Sequence, residues 1–136
     1  RYYKGDLKGR RVAVWGAAFK AGTPSVRNSV VHPLLGALWG QGCHTVVFDP
    51  QAMPSLRQMY PDEPLLSFSS SVTQSVQGVD AIALVTAWDE FRSPDFTALG
   101  QTMKSAIIFD GRNLYDPDLM EAQGFQYFGI GRGESI

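Results

Sequence analysis

The chain has 136 residues, 44% hydrophobic and 18% charged, which is enough for one domain with its own core and excludes a disordered polypeptide. Twelve Lys and Arg against 13 Asp and Glu leave a formal charge of −1, which argues against a broad nucleic-acid or anionic-membrane surface but permits a local anion site. One cysteine, Cys43, and two histidines, His32 and His44, exclude an internal disulfide and a multi-cysteine zinc site.

Five short apolar runs set the framework. Arg11-Val12-Ala13-Val14-Trp15 runs into Gly16, and Thr45-Val46-Val47-Phe48 runs into Asp49-Pro50. Residues 81–85 follow Asp80, residues 106–109 precede Asp110-Gly111, and residues 125–128 precede Gly129. Each has strand length, β-branched or aromatic content and a turn residue at its end. The first four are almost continuously apolar, as expected of parallel strands covered on both faces.

Helical spacing fills the gaps. Val30, Val31, Leu34, Leu35, Leu38 and Trp39 make a stripe that Ser29 can cap, with Gly40 or Gly42 as its stop and Pro33 tolerated in the first turn. Residues 67–75 are serine-rich and read as a loop entering a helix. Phe96, Leu99 and Met103 mark another helix, and Leu119 and Met120 a short one after Asp116-Pro117. The alternation predicts a single domain over residues 1–136. Its fold class is α/β, a doubly wound, mostly parallel, Rossmann-like sheet of five or six strands with helices on both faces.

In such a sheet, ligands sit beyond the carboxyl ends of the strands near the topological switch point. Three segments reach that edge: residues 16–29, the loop after Val85 and the loop after Phe109. The first carries Lys20 and Arg27 with the hydroxyls of Thr23, Ser25 and Ser29, ahead of a helix N-terminus. Those groups suit a phosphate. From position alone the loop reads equally as a phosphate site or as a long loop with solvated cations. It is neither a G-x-G-x-x-G fingerprint nor a Walker loop.

Asp49 stands where a dinucleotide fold carries its ribose-binding acid, but 33 residues after Gly16, and Asp-Pro is a common turn start. A structural role is the expectation. Arg112, on the Asp110-Gly111 turn, could clamp a phosphate, stack on a base or face solvent. Trp88 and Phe91 read as core or interface anchors. Adjacent Asp89 and Glu90 do not make a paired-carboxylate site. Cys43 reads as buried and inert at the amino edge of the sheet, and His32 as a solvated residue on a helix's first turn.

Taken in order, several segments resemble a known family. They are Lys8 to Lys20, Thr23 to Ser29, Val47-Phe48-Asp49-Pro50, Thr86-Ala87-Trp88-Asp89-Glu90-Phe91, Phe109 to Asn113 and Gly124 to Arg132. Their order and spacing resemble the C-terminal, UDP-binding domain of the nucleotide-sugar 6-dehydrogenases, the UDP-glucose/GDP-mannose dehydrogenase family, from about Leu7 to Arg132.

The resemblance implies two successive NAD-dependent oxidations of a sugar C6 alcohol to a carboxylate, UDP-glucose becoming UDP-glucuronate in the UDP-glucose branch. It implies that Phe19, Lys20 and Arg112 contact the UDP-sugar and that Arg27 reaches toward NAD. It places the catalytic cysteine, its helpers and most of the NAD contact in N-terminal and central domains. This chain is therefore expected to carry no catalytic or metal-binding residue and to be inactive alone. Its expected partners are the UDP-sugar, those two domains and further copies of the full-length protein, with no nucleic acid and no membrane. Neither an apolar run of ~20 residues nor a signal peptide is evident, and a cytoplasmic setting is expected.

Ser25 stands where the family commonly has Asp, Asn28 where it has Glu, and Ala87 where many members have Glu. The alternatives are a dehydrogenase of GDP-mannose or a UDP-N-acetylhexosamine, or a stand-alone, non-catalytic UDP-binding module.

Overall fold

The computed structural model describes residues 9–18, 22, 25–26, 29, 31–92, 94–112 and 114–129. Its elements are β1 (Arg11–Trp15), α1 (Val31–Gly40), β2 (His44–Phe48), α2 (Met53–Met59), β3 (Leu66–Phe68), α3 (Val72–Ser75), β4 (Ala81–Leu84), a 3-10 turn (Asp89–Phe91), α4 (Phe96–Thr102), β5 (Ile107–Asp110), α5 (Pro117–Ala122) and β6 (Gln126–Gly129). Every strand pairing is parallel, in the order β3-β2-β1-β4-β5-β6. The chain winds outward from β1 on one side and from β4 on the other. The switch point therefore lies between β1 and β4.

The alternation of side chains along each strand sorts the helices onto the two faces. Trp15, in register with Phe48 and Leu84, is fully buried on one face. Its ring stacks on Phe91 at 5.1 Å and approaches Phe96 of α4 at 6.1 Å, and its Nε1 donates to Ser75 of α3 at 2.9 Å. Thr45, Val47 and Phe68 point to the opposite face. There Trp39 of α1 donates to Thr45 at 3.0 Å, and the Arg57 guanidinium of α2 lies 4.6 Å over the Phe68 ring.

Local chemistry fixes the helix ends. The Ser29 hydroxyl accepts the Val31 N–H at 3.1 Å, as a capping residue should. Beyond α1, Gly42 N–H donates to Trp39 C=O and Cys43 N–H to Leu38 C=O, with Gly42 at φ +78°. That is the Schellman pattern, and it turns the chain directly into β2. Asp116 caps α5 through the Asp118 N–H at 2.9 Å, with Pro117 in the first turn.

Two expectations are corrected. Ser67 and Phe68 belong to the edge strand β3, where Ser67 pairs with Val46 and its hydroxyl meets His44 Nε2 at 2.9 Å. Polar residues suit a strand that is only half-buried. His32 is likewise half-buried instead of solvated. Its Nε2 donates to the Val26 carbonyl at 2.7 Å, so its Nδ1 faces the Tyr60 hydroxyl at 2.9 Å, tying α1 to the end of α2.

Candidate functional site

At the carboxyl edge of the sheet the backbone leaves β1 through Gly16, at φ +96°. A Cβ there would lie 2.5 Å from Thr86 Cβ and 2.6 Å from Thr86 N. Only glycine allows the loop after β1 to lie this close to the loop after β4. Gly16 N–H continues the ladder to Phe48 C=O at 2.8 Å.

Asp49, at the end of β2, is fully buried. Its Oδ2 accepts the N–H groups of Ala17 at 2.8 Å and Ala18 at 3.1 Å and the Trp88 indole N–H at 2.8 Å. Its Oδ1 accepts the N–H groups of Gln51 at 2.8 Å and Ala52 at 2.7 Å. Five donors saturate a carboxylate that offers about four lone-pair sites. The expected structural role of Asp49 holds, and it has no acceptor to spare for a ribose hydroxyl. Trp88 is an anchor, as expected, with its polar atom spent on Asp49.

A second buried carboxylate, Asp110, ends β5. Its Oδ1 accepts the Arg112 N–H at 2.9 Å, and its Oδ2 accepts the Tyr115 N–H at 2.9 Å and the Tyr127 hydroxyl at 2.8 Å. Tyr115 in turn donates its hydroxyl to Phe91 C=O at 2.6 Å. Burial, reinforced by the Asp110 charge, pushes the Tyr115 phenol far above its ordinary range. Gly111 packs where a Cβ would come within 2.9 Å of Leu84 C=O. The turn is thus held on four sides while the Arg112 side chain is exposed. Among the described residues no carboxylate pairs with its guanidinium.

Phe19, Lys20 and Arg27, the other predicted site residues, lie outside the described residues. Ala18, which leads into Phe19-Lys20, is described and 1% exposed. Beside it, Gly22, Pro50, Gln51, Trp88, Asp89 and Glu90 line an open cleft of about 540 Å3. Asp89 pairs with Arg92 at 3.2 Å on the surface. Cys43 is buried at the amino edge, away from this cleft.

Sequence reasoning named Thr86 within the run Thr86 to Phe91 but gave it no role of its own, and it missed Tyr115 and Tyr127. Thr86 is 1% exposed and donates to Ala18 C=O at 2.8 Å. A hydroxyl directly after a buried strand was the available signal for Thr86. For the tyrosines there was none, because their partner is set by how β5 and β6 pair.

The sequence profile of the UDP-glucose/GDP-mannose dehydrogenase family, UDP binding domain, matches residues 13–117. The chain is 41% identical over 133 residues to the UDP-glucose 6-dehydrogenase of Pseudomonas aeruginosa, covering 96% of this chain and 29% of that protein. It is 34% identical over 127 residues to the UDP-glucose 6-dehydrogenase of Rickettsia typhi, covering 93% and 29%. Among solved structures, an NDP-N-acetyl-D-galactosaminuronic acid dehydrogenase from Methanosarcina mazei superposes with a TM-score of 0.77 at 27% identity, over 93% of this chain and 26% of that one. A UDP-glucose dehydrogenase from Pyrobaculum islandicum gives 0.75 at 26% identity, over 94% and 27%. The chain spans less than a third of the length of each of these relatives.

Proposed function

The chain belongs to the UDP-glucose/GDP-mannose dehydrogenase family, as its UDP-binding domain, and we propose that it holds UDP-glucose in an NAD-dependent UDP-glucose 6-dehydrogenase. The observation that carries this reading is the pair of backbone-anchored loops on the two sides of the switch point. One loop leads from Ala18 into Phe19-Lys20, and the other presents Arg112. The ends of β1 and β5 are separated by β4 alone, hence by about 10 Å. A diphosphate and the sugar attached to it cover that length.

In this reading Lys20 and Arg112 neutralise the diphosphate through charge-assisted hydrogen bonds, and Phe19 packs against the nucleotide. The domain contributes binding and orientation. Oxidation of the C6 alcohol to the carboxylate, in two steps that each deliver a hydride to NAD, belongs to residues of other domains. The saturated carboxylate of Asp49 fits this division, since it offers the adenosine ribose of NAD no acceptor at the strand end. Arg27 is the contact this chain would extend toward NAD from the inter-domain cleft. The full protein would act as a homo-oligomer in the cytoplasm.

An NMR titration of the chain with UDP, with GDP and NAD as controls, tests the site. Shifts for UDP centred on Phe19, Lys20 and Arg112 are expected. Lys20→Ala and Arg112→Ala should each weaken UDP binding by about 1–3 kcal/mol. Unchanged affinity in both variants would remove the assignment, and a preference for GDP would move the function to the mannose branch.

A further inference from the structure

We propose that Thr86 and Asp49 are positioning residues for the nucleotide, acting through the backbone of Ala18. This rests on the reading of Phe19-Lys20 as UDP contacts and adds the residues that fasten the backbone at Ala18, immediately before them. Ala18 N–H is taken by Asp49 at 3.1 Å, and Ala18 C=O receives the Thr86 hydroxyl at 2.8 Å. The Ser29 hydroxyl approaches the same carbonyl at 3.5 Å. The ends of β2 and β4 and the start of α1 thus converge on one residue, immediately before Phe19.

A connection that only joined a strand to a helix would leave such groups to water at the surface. Here Asp49 and Thr86, both almost wholly buried, are committed to it instead. The contact of Gly16 with Thr86 brings the loop down onto the hydroxyl. Backbone fastened at Ala18 before the ligand arrives has less conformational entropy to lose on binding, which favours a compact, rigid anion such as a diphosphate. Thr86 is the cleaner probe, because Asp49 also holds Gln51, Ala52 and Trp88.

The test is calorimetric titration of UDP into the full-length protein carrying Thr86→Val, Thr86→Ser, Lys20→Ala and the Thr86→Val/Lys20→Ala pair. Thr86→Val should weaken UDP binding about three- to tenfold, the range of one lost hydrogen bond. Thr86→Ser keeps the hydroxyl and should stay within about twofold of the parent. In the Lys20→Ala background the effect of Thr86→Val should shrink, since the charged one of the two positioned contacts is gone and only Phe19 remains. Should valine disturb the packing at Gly16, Thr86→Ala removes the same hydroxyl without it. Unchanged UDP affinity in Thr86→Val, or the same fold-loss with and without Lys20, would overturn the proposal while leaving the UDP site intact. Unchanged affinity in Lys20→Ala would overturn this proposal, and the site reading would fall with it only if Arg112→Ala were unchanged as well.

Discussion

The indole N–H of Trp88 donates to Oδ2 of Asp49 at 2.8 Å, tying the loop after β4 to the end of β2 across the intervening β1. The bond joins residues 39 positions apart and links the two halves of the sheet at the edge where a nucleotide is expected.

Removing that carboxylate strands donors from three segments. Asp49→Ala should cost at least about 3 kcal/mol, since several buried N–H groups lose their acceptor together. Urea unfolding followed by tryptophan emission measures it. A loss under about 1 kcal/mol would mean that water replaces the carboxylate.

Gly16→Ala should destabilise by at least about 2 kcal/mol, because it combines a positive φ with contact against Thr86. Thr86→Ala should not rescue it, since the backbone N of residue 86 is itself 2.6 Å from the new Cβ. Recovery in the double variant would put the conflict in the Thr86 side chain alone.

Tyr115→Phe removes the donor to Phe91 C=O and should cost about 1–2 kcal/mol near neutral pH. Because the folded phenol titrates well above its ordinary value of 10.0, the unfolded chain loses this proton first as pH rises. The unfolded state then binds fewer protons, so this contribution to stability is present below pH 10 and is lost progressively above it. Denaturation of both proteins at alkaline pH should show a shallower fall for Tyr115→Phe.

His44 works in the opposite direction. Burial, aided by the charge of Arg11, holds its imidazole below the ordinary 6.5. Below that pH the unfolded chain takes up the proton first, so the contribution present above pH 6.5 is lost as the solution is acidified. An NMR titration should place the His44 midpoint under 6.5, and His44→Gln should flatten the acid limb of stability against pH. A midpoint at or above 6.5 would contradict the burial argument.

Supplied with UDP-glucose and NAD, the 136-residue chain alone should form no NADH, because the reading assigns the chemistry at C6 to other domains. Absorbance at the reduced-nicotinamide band checks this, and sustained turnover would require a catalytic group within the chain.

By itself the sequence determined the α/β architecture except for the edge strand β3. Short apolar runs such as 12–15 and 81–84, flanked by turn residues and rich in β-branched or aromatic residues, read as strands buried on both faces, and capping residues such as Ser29 and Asp116 mark the helices between them. Such signals are local, so they can be read without knowing the fold. The resemblance carried by Phe19-Lys20, Arg27 and Asp110-Gly111-Arg112 likewise lives in short contiguous segments. The tertiary structure alone decided what fastens the backbone at Ala18 and at the Asp110 turn. That Asp49 spends its lone pairs on Ala17, Ala18 and Trp88, that Thr86 fastens Ala18, and that Tyr127 reaches Asp110 depends on which strand ends become neighbours. A buried carboxylate or hydroxyl takes whatever partners the packing brings within about 3 Å, and no periodicity encodes their identity.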